Sequence, residues 1–254
     1  MRTRILFFLA ALLLASPAHA KDFWKEKDYR RWSKKECLKL LRNSPWTKQK
    51  TFSTVHIDPV AAAEPTTGEI GPQGFPQAGR ERQANPRTTY QVQLRSALPV
   101  RQAIVRLTQI NQKYDKMSPQ EQQAFDQRAE QFLAVRFPEI VVVHVSYGTT
   151  VTDDDRELAR HWQSQTTETL RNFVFLMGAR RIKVPLLGYA VAEGAGREFQ
   201  LVFPRQSEGQ PLLGPQDKSL KLEFNHPNIR GQGEKRVFIE WKVKKMRMDE
   251  TVIY

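Results

Sequence analysis

A single cysteine, Cys37, stands in 254 residues. That scarcity excludes a disulfide-stapled scaffold and any cysteine-based zinc cluster. Histidine is nearly as sparse. Of five in the chain, His56, His144, His161 and His226 follow residue 20, with no metal-ligand spacing among them. No metal and no cofactor is therefore expected. No G-x-S-x-G, H-E-x-x-H, Walker A, G-x-G-x-x-G or C-x-x-C pattern occurs, so the common hydrolase, zincin, nucleotide and redox motifs are missing. Gly194-Ala195-Gly196 and Gly231-Gln232-Gly233 lack a third glycine and fall between strands, where hairpin turns account for them. Past residue 20 no stretch is apolar enough to span a bilayer, so no transmembrane segment is expected there. Acidic side chains are outnumbered, 27 against 40 Lys and Arg, for a formal net charge of +13. What remains is 40% hydrophobic, enough for a real core and too much for a wholly disordered or collagen-like chain. The length suits one good-sized domain or one domain with additions.

The first twenty residues have a three-part design. Arg2 and Arg4 precede the eleven-residue apolar run Ile5–Ala15, then Ser16-Pro17 and the small-residue stretch Ala18-His19-Ala20. This is the pattern of a secretory signal peptide over 1–20, cleaved after Ala20. As a helix the apolar run spans only about 16 Å against about 30 Å of hydrocarbon, too short for an anchor. No cysteine follows the cleavage point, which disfavours a lipid-anchored form. The mature chain is expected to be exported, periplasmic or extracellular, and nucleic acid is not an expected partner.

Residues 21–57 form a basic, aromatic N-terminal segment. Between Lys21 and Lys50 there are eleven Lys or Arg against four acids, Asp22, Glu26, Asp28 and Glu36. Ser33-Lys34-Lys35-Glu36 reads as a capping box. The helix behind it places Cys37, Leu40, Leu41 and Ser44 on one face and Lys35, Lys39 and Arg42 largely away from it. Asn43 and Pro45 end it, and Thr51–Ile57 alternates as a short strand. Residues 58–87 hold five prolines and four glycines among Asp58–Arg87 with no apolar period, the composition of a linker or long loop. The strands on either side of it can still pair with each other.

From residue 88 to 254 the pattern is that of an α+β domain. Tyr90, Val92 and Leu94 alternate with polar partners; Pro99 opens a helix; Ser118-Pro119-Gln120-Glu121 is a second capping box. Glu139–Tyr147 is apolar on both faces, as in a central strand. Asp153–Met177 reads as one long helix carrying Leu158, Trp162, Thr169, Phe173 and Met177. Strands follow at Leu186–Val191, around Phe199, Leu201 and Phe203, at Leu220–Phe224 and at Val237–Val243. Their alternation argues for antiparallel pairing. The expected fold class is α+β: a mainly antiparallel sheet packed by about three helices, preceded by a basic amphipathic helix.

Two groups of residues carry candidate chemistry. Trp24, Trp32, Lys34, Lys35, Lys39 and Trp46 could dock on an anionic envelope surface; alternatively the rings pack the first helix onto the domain while the lysines face water. Asp153-Asp154-Asp155, after the strand end at Gly148–Thr152, could cap the next helix, hold a cation, or act catalytically with His144 or His161. Thr152 with Asp155 resembles another capping box. Cys37, on the apolar side of its helix, is either a buried thiol or a reactive one.

Trp32-Ser33-x-x-Glu36, the Leu40-Leu41 pair and Ser44-Pro45-Trp46, so soon after the leader, resemble a family of uncharacterised exported bacterial proteins. Arg95-Ser96-Ala97-Leu98-Pro99-Val100-Arg101-Gln102-Ala103 is similar to a second segment of that family, and Lys242-Val243-Lys244-Lys245-Met246 to a third. The resemblance implies export and a shared fold, and it carries no catalytic residue. The leading expectation is a non-enzymatic envelope or secreted protein that binds an anionic surface or a protein partner. The alternatives are a hydrolase or metal-dependent enzyme built on Asp153–Asp155, and a structural module of an envelope assembly.

Overall fold

Every pairing between the named strands is antiparallel, as the alternation of apolar and polar positions implies. The computed structural model describes residues 22–53, 87–178, 182–191, 196–229, 235–248 and 251–254. The expected leader at 1–20, residues 54–86 with His56 and most of the Pro/Gly-rich stretch, and the glycines Gly194, Gly231 and Gly233 lie outside the described residues.

The described residues begin with a single helical turn, α1 (Phe23–Glu26), then a 3-10 turn at Tyr29–Arg31, α2 (Lys34–Arg42) and β1 (Thr47–Ser53). Next come β2 (Arg87–Leu94), α3 (Leu98–Asn111), α4 (Pro119–Ala134), β3 (Ile140–Thr149), α5 (Thr152–Ser164) and α6 (Thr167–Leu170). The rest is strand: β4 (Phe175–Gly178), β5 (Lys183–Pro185), β6 (Gly188–Val191), β7 (Glu198–Pro204), the short pair β8 (Gln206–Ser207) and β9 (Gln210–Pro211), β10 (Ser219–His226) and β11 (Lys235–Lys242). A 3-10 turn at Val243–Met246 leads to a last small pair, β12 (Arg247–Met248) and β13 (Thr251–Val252). The fold is α+β, with a mainly antiparallel sheet structure.

The longer strands divide between two sheets. One runs β1-β2-β3-β7-β6, the other β11-β10-β4-β5. Tyr90, Val92 and Leu94 on β2 lie opposite Tyr147, Val145 and Val143 on β3, and Val145 and Val143 lie opposite Phe199 and Leu201 on β7. All of these are buried, so the central strands β2, β3 and β7 share one apolar face. It meets the second sheet through ring contacts: Phe224 of β10 packs 5.3 Å from Tyr90 and 6.3 Å from Phe199. Trp162 of α5 enters the same cluster, stacked on Phe199 at 4.4 Å. The other face of the five-stranded sheet carries Gln91 and Gln93, whose amides donate to the Leu41 carbonyl at the end of α2. α2 therefore covers the outer face, with α3 beside it.

The basic N-terminal segment is thus part of this body. β1 is an edge strand paired along its whole length with β2, from Thr47 opposite Gln93 to Ser53 opposite Arg87. Arg87, placed in the loop by composition, instead opens β2. The two capping boxes form as the sequence implies: Ser33 with Glu36 at α2, and Ser118 with Glu121 at α4.

The helix expected over Asp153–Met177 does not run through. Gln165 is extended, and Thr166 caps a new short helix through a box with Thr169. Edge strand β6 pins the break: the Tyr189 hydroxyl donates to the Trp162 carbonyl at 2.5 Å, and the Tyr189 amide donates to Thr167 Oγ1 at 3.0 Å. Phe175–Gly178 then pairs with β10, Leu176 lying opposite Leu222. Gly178 is required there, because a Cβ would lie 2.0 Å from the Leu212 carbonyl oxygen. The capping box expected at Thr152 is also absent. Val151 is the N-cap residue and Thr152 is already helical, while Thr149 closes the preceding turn through its hydroxyl to Val151.

Candidate functional site

α2 is fixed at its start by two sets of bonds. The Ser33 hydroxyl accepts from the Glu36 amide at 3.2 Å, and the Glu36 carboxylate accepts from the Ser33 amide at 2.7 Å and from Lys27 Nζ at 2.8 Å. Cys37 and Leu40 are fully buried beneath it. With that face committed to the core, the 3.6-residue period turns Lys34, Lys35, Lys39 and Arg42 outward, and all four are exposed. None makes an ion pair among the described residues, whereas nearby Lys25 and Lys27 pair with Asp22 and Glu36. Half-buried Leu38 lies among them, and together they line a shallow, open depression.

The tryptophans that accompany these lysines in sequence do not accompany them in space. Trp24 is 9% exposed, Trp32 1% and Trp46 not at all. Their indoles pack through Phe23 and each other: Phe23 edge-on to Trp24 and Trp32, Trp24 edge-on to Trp46 at 5.7 Å. Trp32 Nε1 donates to the Lys27 carbonyl at 2.9 Å and Trp46 Nε1 to the Ile253 carbonyl at 2.6 Å. The rings are core, so of the expected docking group only Lys34, Lys35 and Lys39 are exposed. Trp24 and Trp46 therefore add no exposed apolar surface.

Cys37 is fully buried, and burial pushes its thiol up to about 11. It is an inert core thiol under physiological conditions.

Asp153, Asp154 and Asp155 all lie in the first turn of α5, where acids offset the helix dipole. Asp153 is exposed and pairs with Arg156 at 3.4 Å; Asp155 is buried and pairs with Arg197. The two histidines proposed to act with them stand apart. Tyr147, beside Asp155, is on the apolar face of β3. His144 is three residues away on the opposite face, level with Gln93 and Gln200. There its Nε2 is 3.5 Å from a Glu198 carboxylate oxygen. Burial, with Arg95 nearby, still holds it down to about 4. His161 is on α5 itself, seven residues after Asp154 and so roughly 10 Å further along the axis. It lines a different cavity, of about 360 Å³, with Gln165, Thr169, Phe173 and Asn228. Among the described residues no three His, Cys, Asp or Glu side chains are grouped to hold a metal ion.

Leu94 and Trp241, the residues just before the second and third segments of the sequence resemblance, both bond to Trp46, which ends the first. Its carbonyl accepts from the Leu94 amide at 3.0 Å and from Trp241 Nε1 at 3.2 Å. Just past Leu94, Ser96 Oγ accepts from the Val142 amide. Buried Arg101 donates to the carbonyls of Phe132, Leu133 and Val135 at the end of α4. These motif residues hold the architecture together; periodicity and capping signals alone do not reveal that, because each acts on a partner far along the chain.

No known protein family matches the chain, and no curated protein sequence matches it. Among solved structures, a DUF4426 family protein from Pseudomonas aeruginosa PAO1 aligns with 62% of this chain and 87% of its own, at 10% identity and a TM-score of 0.28. A likeness of that size carries no argument about fold or function. Among the described residues no helix is long and apolar enough to cross a membrane.

Proposed function

We propose that the chain is exported and acts as a non-enzymatic binding protein of the cell envelope or its exterior, docking on an anionic surface through α2. The observation that carries this reading is the exposed row Lys34, Lys35, Lys39 and Arg42, without ion pairs among the described residues, on a helix whose other face is locked into the core. Such a row costs self-repulsion when free and gains when an anionic surface supplies counter-charge. Export is supported by the basic, apolar and small-residue order of the first twenty residues.

Charge reversal at Lys34, Lys35 and Lys39 tests the docking face. Each basic residue near an anionic membrane contributes about 1 kcal/mol, so losing three should weaken retention on anionic vesicles roughly a hundredfold. Binding of the unaltered chain should fall steeply as salt shortens the Debye length. Retention that ignores both salt and charge reversal would sink the proposal. Cell fractionation with N-terminal sequencing checks export, and a mature chain that keeps residues 1–20 would contradict it.

A further inference from the structure

Where α2 turns into β1, a second basic feature lies in a cavity of about 250 Å³ lined by Asp22, Trp24, Asn43, Ser44, Lys48 and Lys245. It does not depend on whether α2 docks on a surface. Lys48 is half-buried, and its ammonium donates to the Ser44 carbonyl at 3.2 Å. Among the described residues it has no carboxylate partner. Burial, together with the like-signed ammoniums of Lys245 and Lys242, holds its pKa below the ordinary lysine value. Trp24 lines the same cavity and is nine-tenths buried. The one acid present, Asp22, is already paired with Lys25 at 3.7 Å.

Two ammoniums crowded at one cavity repel, and a group with negative charge and only acceptor atoms relieves that repulsion. A tetrahedral oxyanion suits the arrangement, since it can accept from Lys48 and from Lys245 on separate oxygens and carries more charge than a carboxylate. We infer that this cavity is a binding site for a phosphoryl group, held by Lys48 and Lys245, with Lys242 adding charge nearby. The group can arrive as free phosphate or as the phosphomonoester of a headgroup; the recognition chemistry is shared.

Titration of the full mature chain with inorganic phosphate, followed by calorimetry at constant ionic strength with chloride as the balancing ion, tests the site. Lys242 and Lys245 are exposed, so Lys242→Gln with Lys245→Gln should fold normally, and thermal melting checks that it does. This double variant should bind at least about tenfold more weakly, the loss expected when charge-assisted bonds are removed. Lys116→Gln, exposed on another part of the surface, should bind as the unaltered chain does. Vesicles of phosphatidylcholine with and without phosphatidic acid separate the two sources: retention that competes with free phosphate identifies a headgroup. Saturable phosphate binding without such retention identifies the free ion. No saturable heat with phosphate, or equal binding by the double lysine variant, overturns the inference.

Discussion

His144 and His226 show how a single residue reports its surroundings. Both are buried, 6% and 3% exposed. Burial comes first in holding each down to about 4, helped by Arg95 at His144 and by Lys235 and His161 at His226. His226 also has the Tyr90 hydroxyl 2.8 Å from Nδ1 and Phe52 stacked on its ring. Both therefore stay neutral in the fold down to about pH 4, while in the unfolded chain they protonate near the ordinary 6.5. Between those values the unfolded chain binds more protons, so stability is fully present above about pH 6.5 and is lost as pH falls toward 4. The loss should be on the order of a few kcal/mol. Urea midpoints at pH 7.5 and 4.5 measure it, and His144→Gln should flatten the dependence. An unchanged slope in that variant would show that His144 does not contribute. The sequence names these histidines but not their burial, which comes at His144 from strand partners Gln93 and Gln200 more than 50 residues away and at His226 from Tyr90 and Phe52.

At the scale of single elements, local rules succeed where both partners lie within a turn. The Ser33–Glu36 box is such a case, since each group satisfies a free amide of the other. Ser33→Ala should lower stability by about 1 kcal/mol, read as a lower urea midpoint with an unchanged slope. The same reasoning fails at Thr152, where Thr149 and Val151 settle the turn first. It fails again past Ser164. The apolar stripe through Trp162, Phe173 and Met177 fits a helix, yet the backbone of Phe175–Gly178 finds β10 and forms a strand. Helical spacing cannot foresee a partner more than forty residues ahead. For the candidate site, the outward turn of Lys34, Lys35 and Lys39 was legible from the heptad-like spacing around Cys37 and Leu40. The fate of the neighbouring rings was not.

For the whole molecule, the first question is what the Pro/Gly-rich stretch separates. It interrupts a hairpin: Ser53 and Arg87, its two flanks, lie opposite each other in register. Replacing residues 54–86 with an Asn-Gly turn of about four residues should leave the fold intact. By loop-closure entropy alone it should stabilise the chain by about 2 kcal/mol. A raised urea midpoint with the same unfolding slope is the expected outcome. Loss of cooperative unfolding in the shortened chain would show that the two flanks need those residues to pair. The same closure places Trp46 where Trp241 and Ile253, from the far end of the chain, complete its hydrogen bonds.

The sequence by itself determined the properties that depend on neighbours within a few positions: helix starts, the alternation that makes strands antiparallel, the absence of familiar catalytic motifs, and the concentration of positive charge before residue 51. Tertiary structure alone decided that the strands split into two sheets. It decided too that Trp24, Trp32 and Trp46 are core rather than contact residues, that His144 and Asp155 fall on opposite faces of β3, and that Lys48 and Lys245 share a cavity. The reason is physical. Burial and charge proximity are set by which surfaces meet when the chain closes on itself, and a tryptophan or lysine carries no local mark of the partner it will meet two hundred residues away.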